Sequence, residues 1–393
     1  MSDNTAMKKI GILIERQRGY GRRLCEGVVR FACERNDWSL KFIEFSELSQ
    51  DIRRNKYDGF IARVMNDGIA KAIASVGKPV VDVFAEKSVP GFAAADQNAL
   101  VVGQMAARHF IEHRFANFAF CGYNGRSYSD GRRHGFVRSL ALNHFKCSVY
   151  STPRIALKDF EDSVVMHERF GKPSDAVRLL KWLRGLPNPV AIFCAHDMRA
   201  YQVSEICRAN GISVPGDVAI LGVDNDELVC QFTDPPISSI DQNPVGIGYA
   251  AAELLQKMFD EPGIVPPPIR VKPLKLVERG STRIYPLSPP WLSDALVFIR
   301  ANITKNITAA DVYAHVGKSH TLVDRAFRQQ LSTTVQKEIS KTRLAEAKRL
   351  VKTTSMPLKS IAKVSGFSTP QYFSTSFAKA FGSSPSSFRE PVA

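Results

Sequence analysis

Two groups of polar side chains stand out by type and spacing. Near the C-terminus, Val312, Gly317 and Ser319 recur forty-nine residues later as Ile361, Gly366 and Ser368. After a one-residue insertion, Val323, Phe327 and Leu331 align with Phe373, Phe377 and Phe381. Apolar residues four apart form the buried stripe of a helix, which leaves the intervening positions to solvent or a partner. Those positions hold His320, Thr321, Asp324, Arg325 and Arg328 in the first copy, and Thr369, Gln371, Tyr372, Thr375 and Lys379 in the second. Taken singly each suits a solvated surface; placed together on two helices they are the groups that engage base edges and phosphates in a DNA major groove. The second group sits where apolar runs end: Asp82 after Pro79-Val80-Val81, His196-Asp197 after Phe193-Cys194-Ala195, Asp224 after Leu221-Gly222-Val223, and Arg132 at the expected start of a helix. Tyr20 and Arg22, in the loop after the first run, extend it. Carboxylates and planar donors that each engage two hydroxyls suit a polyol. The competing roles are turn caps for Asp82 and Asp224, a surface charge for Arg132 and a packed polar side chain for His196.

Each C-terminal copy reads as a short helix, a turn at the glycine and a second helix. Gly317 and Gly366 supply the positive φ that ends the first helix, and Ser319 and Ser368 are placed to cap the second. Between the copies, Lys341 to Lys352 (KTRLAEAKRLVK) forms an amphipathic helix that holds the units apart. Two such units filling successive major grooves lie about 34 Å apart on DNA. The alternative for this segment is a helical dimerisation module.

Before residue 280, β-branched or aromatic runs alternate with helical-period segments, as in parallel βαβ units. Strands are expected at 10–14, 40–45, 59–63, 80–84, 118–121, 190–194 and 218–223, and helices at 21–33, 99–113, 132–142, 175–183, 198–210 and 246–259. About 270 residues of such units fit two Rossmann-like lobes better than one sheet, with ligand bound in the cleft at the carboxyl ends of the strands. The expected division is a two-lobed α/β domain over 1–280, a proline-stiffened linker over 281–290 (STRIYPLSPP) and an all-α domain over 291–393 with two helix-turn-helix motifs.

Charge follows this division. The chain has 53 Lys+Arg and 38 Asp+Glu, a net +15, of which residues 290–393 carry 15 − 6 = +9 and the 289 residues before them only +6. A basic C-terminal part indicates a polyanionic partner, double-stranded DNA. The 7 cysteines are scattered and never spaced Cys-x-x-Cys, which fits a reducing compartment. The N-terminus has no apolar signal-like core and the chain no membrane-length apolar run, so a cytoplasmic protein without membrane partners is expected. Walker A, Gly-x-Gly-x-x-Gly, Gly-x-Ser-x-Gly and His-Glu-x-x-His sequences are all missing, and the 8 histidines show no metal-ligand spacing, so no metal or cofactor is expected.

The run Ile361 to Glu390, with Gly366-Phe367-Ser368, Tyr372-Phe373, Phe377-Ala378-Lys379, Phe381-Gly382 and Pro385, resembles the signature of the AraC family of bacterial regulators, as do Arg343-Leu344 and Ala347 in the linking helix. Tyr313 stands where that family usually carries alanine. Residues 8–280 resemble the LacI-type, periplasmic-binding-protein-like sugar sensors through Phe118 to Gly122, Arg132-x-x-Gly135-Phe136, Val214 to Val218, Gly222 to Asn225, and Ser238-Ser239-Ile240 followed by the 248–255 helix. This pairing is the arrangement of the xylose operon regulators. The resemblance implies sugar contacts at Asp82, Arg132, His196 and Asp224 with Asp197 beside them, His196 replacing the usual asparagine. It also implies a pentose effector such as D-xylose, a homodimer, activation from direct repeats and contact with RNA polymerase. The rival functions are a sugar-processing enzyme using paired carboxylates such as Asp82 and Asp224, and a transport-type solute-binding protein.

Overall fold

A computed structural model describes residues 7–150, 152 and 173–389. The chain divides into two units, Met1–Arg283 and Ile284–Ala393. The first contains strands β1 (Lys8–Leu13), β2 (Trp38–Phe42), β3 (Gly59–Ala62), β4 (Val80–Asp82), β5 (Ala93–Gln97), β6 (Asn117–Cys121), β7 (Cys147–Tyr150), β8 (Val190–Cys194), β9 (Val218–Val223), β10 (Ser238–Asp241), β11 (Ile269–Val271) and β12 (Lys275–Val277). They form two six-stranded sheets, ordered β11-β5-β4-β3-β1-β2 and β12-β10-β9-β8-β6-β7. All pairings are parallel except β10 with β12. Every residue of β3, β8 and β9 is buried, as expected of strands covered on both faces by helices.

The chain passes between the lobes three times, after β5, after β10 and after β11. These crossovers are hydrogen-bonded together: Asn98 N donates to Val271 O at 2.7 Å and Leu274 N to Asp241 O at 2.8 Å. Each lobe also carries one tightly packed helix pair. In the first, Gly19–Arg35 meets Pro244–Asp260; in the second, Ala99–Glu112 meets Ser127–Ala141. Glycines permit both approaches: a Cβ on Gly27 would overlap the carbonyl oxygen of Val245 in the first pair, and one on Gly103 that of Arg132 in the second.

Three sequence expectations change here. The helix expected from Arg132 starts at Ser127, so Arg132 lies in its second turn rather than at its start; SYSDG reads as a loop but carries Asp130 in the first helical turn, where an acid is favourable. The expected linker start is part of the first unit: Ser281 and Thr282 are buried, and Ser281 Oγ accepts from Ser238 N at 2.8 Å and donates to Ile220 O at 2.6 Å. At the linker's other end, Tyr285 is buried in the core of the second unit and Pro290 opens a helix. Finally, His109 and His113 lie one turn apart at a helix C-terminus, contrary to the expectation of no ligand spacing among the histidines.

The second unit is helical and has two cores. Val312, Val323, Phe327 and Leu331 pack in one with the helix Pro290–Asn302; Ile361, Phe367, Phe373 and Phe377 pack in the other. The linking helix, Val335–Thr353, is longer than its amphipathic signal and serves both, giving Val335 and Ile339 to the first and Ala347, Leu350 and Val351 to the second.

Gly103→Ala is expected to push the helix Ser127–Ala141 outward and cost about 1–3 kcal/mol of stability by overpacking. Urea unfolding of the full chain measures it; unaltered stability would show that the helix pair is not held at this distance.

Candidate functional site

The loops after β1, β3, β4, β6, β8, β9 and β10 converge on a cavity of about 290 Å³ in the first unit. Its position at the carboxyl ends of parallel strands follows the general rule for open α/β sheets. Six of the seven sequence candidates line it: Tyr20, Arg22, Arg132, His196, Asp197 and Asp224.

Asp82 does not. Its buried carboxylate accepts from the backbone N–H groups of Val64 (3.1 Å), Phe84 (2.9 Å) and Ala85 (3.2 Å), so it ties the ends of β3 and β4 as a turn cap. Burial still raises its pKa to about 6, against the lowering effect of those three donors. The carboxylate pair expected for an enzymatic site, Asp82 with Asp224, therefore does not share the cavity.

Arg132 reaches across the cavity wall to three other segments. Its side chain is 2% exposed. Nε and Nη2 donate to Gln97 Oε1 at 3.2 and 2.6 Å, Nη2 also donates to Gln242 Oε1 at 2.7 Å, and Nη1 donates to the carbonyl of Ala195. Gln97 ends β5, where one crossover begins, and Gln242 opens another, so this guanidinium joins the cavity to two of the places where the chain passes between the lobes. Tyr128 packs on its face, the guanidinium carbon 5.3 Å from the ring centroid.

Asp224 adopts φ 114°, outside the usual range for a residue with a side chain, a strain of about 1–3 kcal/mol that surrounding contacts must hold. Gln242 Nε2 donates to its Oδ1 at 2.5 Å, and Arg132 Nη2 stands 3.9 Å away. Burial raises its pKa to about 6, opposed by the charges of Arg132 and Arg18. Asp197 is fully engaged inside the lobe: Oδ1 accepts from Ser239 at 2.6 Å and Oδ2 from Asp226 N at 2.9 Å. Burial, then the charge of Asp224, pushes its carboxyl well above the ordinary range. His196 occupies the N-cap of the helix Asp197–Ala209, where its Nδ1 accepts from Arg199 N at 3.1 Å. It thus does through a ring nitrogen what an asparagine oxygen does at such a cap, while its ring stacks on Tyr123 at 5.4 Å. Acceptance at Nδ1 leaves the proton of the neutral ring on Nε2. The cavity accordingly offers a carboxylate, a planar guanidinium, amides and stacked aromatic rings, the groups that hold a polyol.

In the second unit the helix His320–Leu331 buries its expected stripe, and Pro370–Phe381 buries Phe373 and Phe377 while Phe381 is only half-buried. His320, Thr321, Arg325, Arg328, Thr369, Gln371, Tyr372, Thr375 and Lys379 are all exposed. Asp324 differs, being half-buried and accepting from the Tyr313 hydroxyl at 3.2 Å. The tyrosine that replaces alanine thereby ties the first helix of the motif to the second. Ser319 caps as expected, accepting from Leu322 N at 3.4 Å. In the second copy the cap is Thr369 rather than Ser368, accepting from Tyr372 N at 3.1 Å. The inserted residue falls between the glycine and the cap, which moves the cap one place along.

A family model for a periplasmic binding protein-like domain matches residues 107–282, and one for a helix-turn-helix domain matches residues 313–391. The chain is 28% identical to the xylose operon regulatory protein of Escherichia coli (strain K12), with 98% of each chain covered. It is 26% identical to that of Haemophilus influenzae, covering 97% of this chain and 98% of the other. The solved structure of a xylose-binding transcription activator, xylR, matches with a TM-score of 0.61 at 26% identity, over 98% of both chains. The chain thus joins a periplasmic binding protein-like domain to a C-terminal helix-turn-helix domain and aligns with these regulatory proteins over nearly its whole length. Its full-length relatives are transcription regulators, and its C-terminal domain is a DNA-binding module of the AraC type. Among the described residues, no helix is long and apolar enough to cross a membrane.

Sequence reading missed several cavity residues of this regulator, chiefly Arg63, Asp96, Gln97, Arg126, Tyr128 and Gln242. Asp96 and Gln97 end a strand that reads Ala93-Ala94-Ala95, without the branched residues that mark strands, and Gln242 follows the short β10. A usable signal was present in Asn98, an N-cap placed directly after two polar residues and accepting from Val101 N at 3.2 Å.

Because Asp224 holds its proton more tightly when folded than in the unfolded chain, its ionisation opposes folding. Wild-type stability is expected to fall relative to Asp224→Asn as pH rises from about 4 to about 6, and to level off above. Urea unfolding of both ligand-free proteins across this range measures it; a pH-independent difference would contradict the assignment.

Proposed function

We propose that this regulator binds a pentose, D-xylose, in the sensor cavity and that the bound sugar changes how its helix-turn-helix domain engages double-stranded operator DNA. The observation that carries this reading is Arg132, which lines the cavity and grips Gln97 and Gln242 at the crossovers. Sugar hydroxyls that engage Asp224 and Arg132 compete with or reinforce the bonds to these two glutamines. A sugar that prefers one lobe arrangement shifts the population toward it.

On DNA, His320–Leu331 and Pro370–Phe381 enter successive major grooves, about 34 Å apart, with the linking helix setting their separation. Arg325, Arg328 and Lys379 supply the cationic contacts. The regulator acts in the cytoplasm as a homodimer, activates transcription from direct repeats and contacts RNA polymerase. It is a binding protein rather than an enzyme; the xylose-binding activator and the xylose operon proteins it resembles support this assignment.

Calorimetry with D-xylose and operator-binding assays test the two halves separately. Asp224→Ala is expected to abolish the sugar response while leaving basal operator binding intact; unchanged sugar affinity removes Asp224 from the site. Arg325→Ala or Lys379→Ala is expected to weaken operator binding by about 1–3 kcal/mol at a base contact, or to lower the salt slope by about one at a phosphate contact. Wild-type affinity and slope in both variants would contradict the assigned DNA face.

A further inference from the structure

Outside the cavity lining, the second lobe gathers His109, His113 and Glu278. One ring nitrogen of each histidine and one carboxylate oxygen of Glu278 lie within 4.8 Å of one another. The two imidazoles face each other at the end of the helix Ala99–Glu112, with centroids 4.1 Å apart. His113 Nδ1 is 2.8 Å from the carbonyl oxygen of His109. A carbonyl only accepts, so Nδ1 carries a proton and in the neutral ring the lone pair is on Nε2, the orientation that a backbone carbonyl imposes on metal-bound imidazoles. That Nε2 stands 3.6 Å from Glu278 Oε1, close to the separation of about 3.4 Å between ligand atoms that bonds of about 2.0–2.1 Å require around tetrahedral zinc. Both histidines are buried, His109 Nε2 lying 3.0 Å from Thr282 Oγ1, whereas the Glu278 side chain is 30% exposed. The place also suits a cation, because the partial negative charge of a helix C-terminus points at it.

We propose that His109, His113 and Glu278 form a binding site for a divalent transition-metal ion, zinc by ligand type, with water in the fourth position. The ion ties Glu278 to the second lobe's helix Ala99–Glu112. Glu278 lies five residues before Arg283, where the sensor unit ends, so the metal anchors the segment by which the chain leaves the sensor. The site is separate from the sugar cavity and does not depend on the identity of the effector.

The test uses the full chain, stripped with a chelator and titrated with Zn²⁺ by calorimetry and with Co²⁺ by visible absorption. One equivalent is expected to bind, with the d–d bands of four-coordinate Co²⁺ and a raised unfolding temperature. Glu278→Gln is expected to weaken Zn²⁺ binding at least about tenfold while keeping the metal-free unfolding temperature. His113→Gln is expected to remove the Co²⁺ bands; should it fail to fold, Glu278→Gln decides alone. No stoichiometric binding, or affinity unchanged by Glu278→Gln, would overturn the proposal, the second result placing the metal on other residues such as the exposed Cys33.

Discussion

A single buried guanidinium holds the sensor's working parts in register. Arg132 is removed from water, and burying a charge is costly unless its hydrogen bonds are met. Here they are met by Gln97, Gln242 and the carbonyl of Ala195, drawn from two crossovers and the end of β8. The arrangement makes any movement of the crossovers a perturbation of Arg132, and any ligand on Arg132 a perturbation of the crossovers. The close approach of its helix to Ala99–Glu112, at Gly103, fixes where the guanidinium starts from.

Around Arg132 the acids divide by role. Asp197 and Asp82 spend their oxygens on backbone and side-chain donors within the fold, whereas Asp224 keeps a strained backbone, one amide partner and a guanidinium at 3.9 Å. A group held in a rare conformation, half-buried and reluctant to ionise, is the kind of residue a protein retains for a ligand rather than for stability. In the C-terminal unit the equivalent constraint is the linking helix, whose two halves complete two separate cores. Those cores fix the two motifs to one rigid element, so their spacing is a property of the helix and not of a loop.

Much of this was legible in the residues. The parallel lobes followed from buried apolar runs such as Val218–Val223, and the paired motifs from phenylalanines and a leucine four apart. What escaped was held by tertiary pairing rather than by local pattern. Ala93–Gln97 is a strand because β4 and β11 flank it, and it brings Asp96 and Gln97 to the cavity without any strand-like composition. Asp82 was misplaced for the opposite reason: a carboxylate at a strand end looks the same in sequence whether it faces a ligand or three backbone N–H groups. His196 showed a third case, in which an unusual residue preserves an ordinary role as a helix cap and brings its ring into the cavity lining.

If Arg132 transmits the state of the cavity through Gln97 and Gln242, removing both amides uncouples sugar from DNA. This is tested most directly by measuring operator affinity of the full chain, with and without saturating D-xylose, in the wild type and in a Gln97→Ala, Gln242→Ala double variant. A sugar-induced change of about 5–150-fold is expected in the wild type, nearly lost in the double variant while sugar-free operator affinity is kept. A change of undiminished size at saturating sugar in the double variant would contradict it.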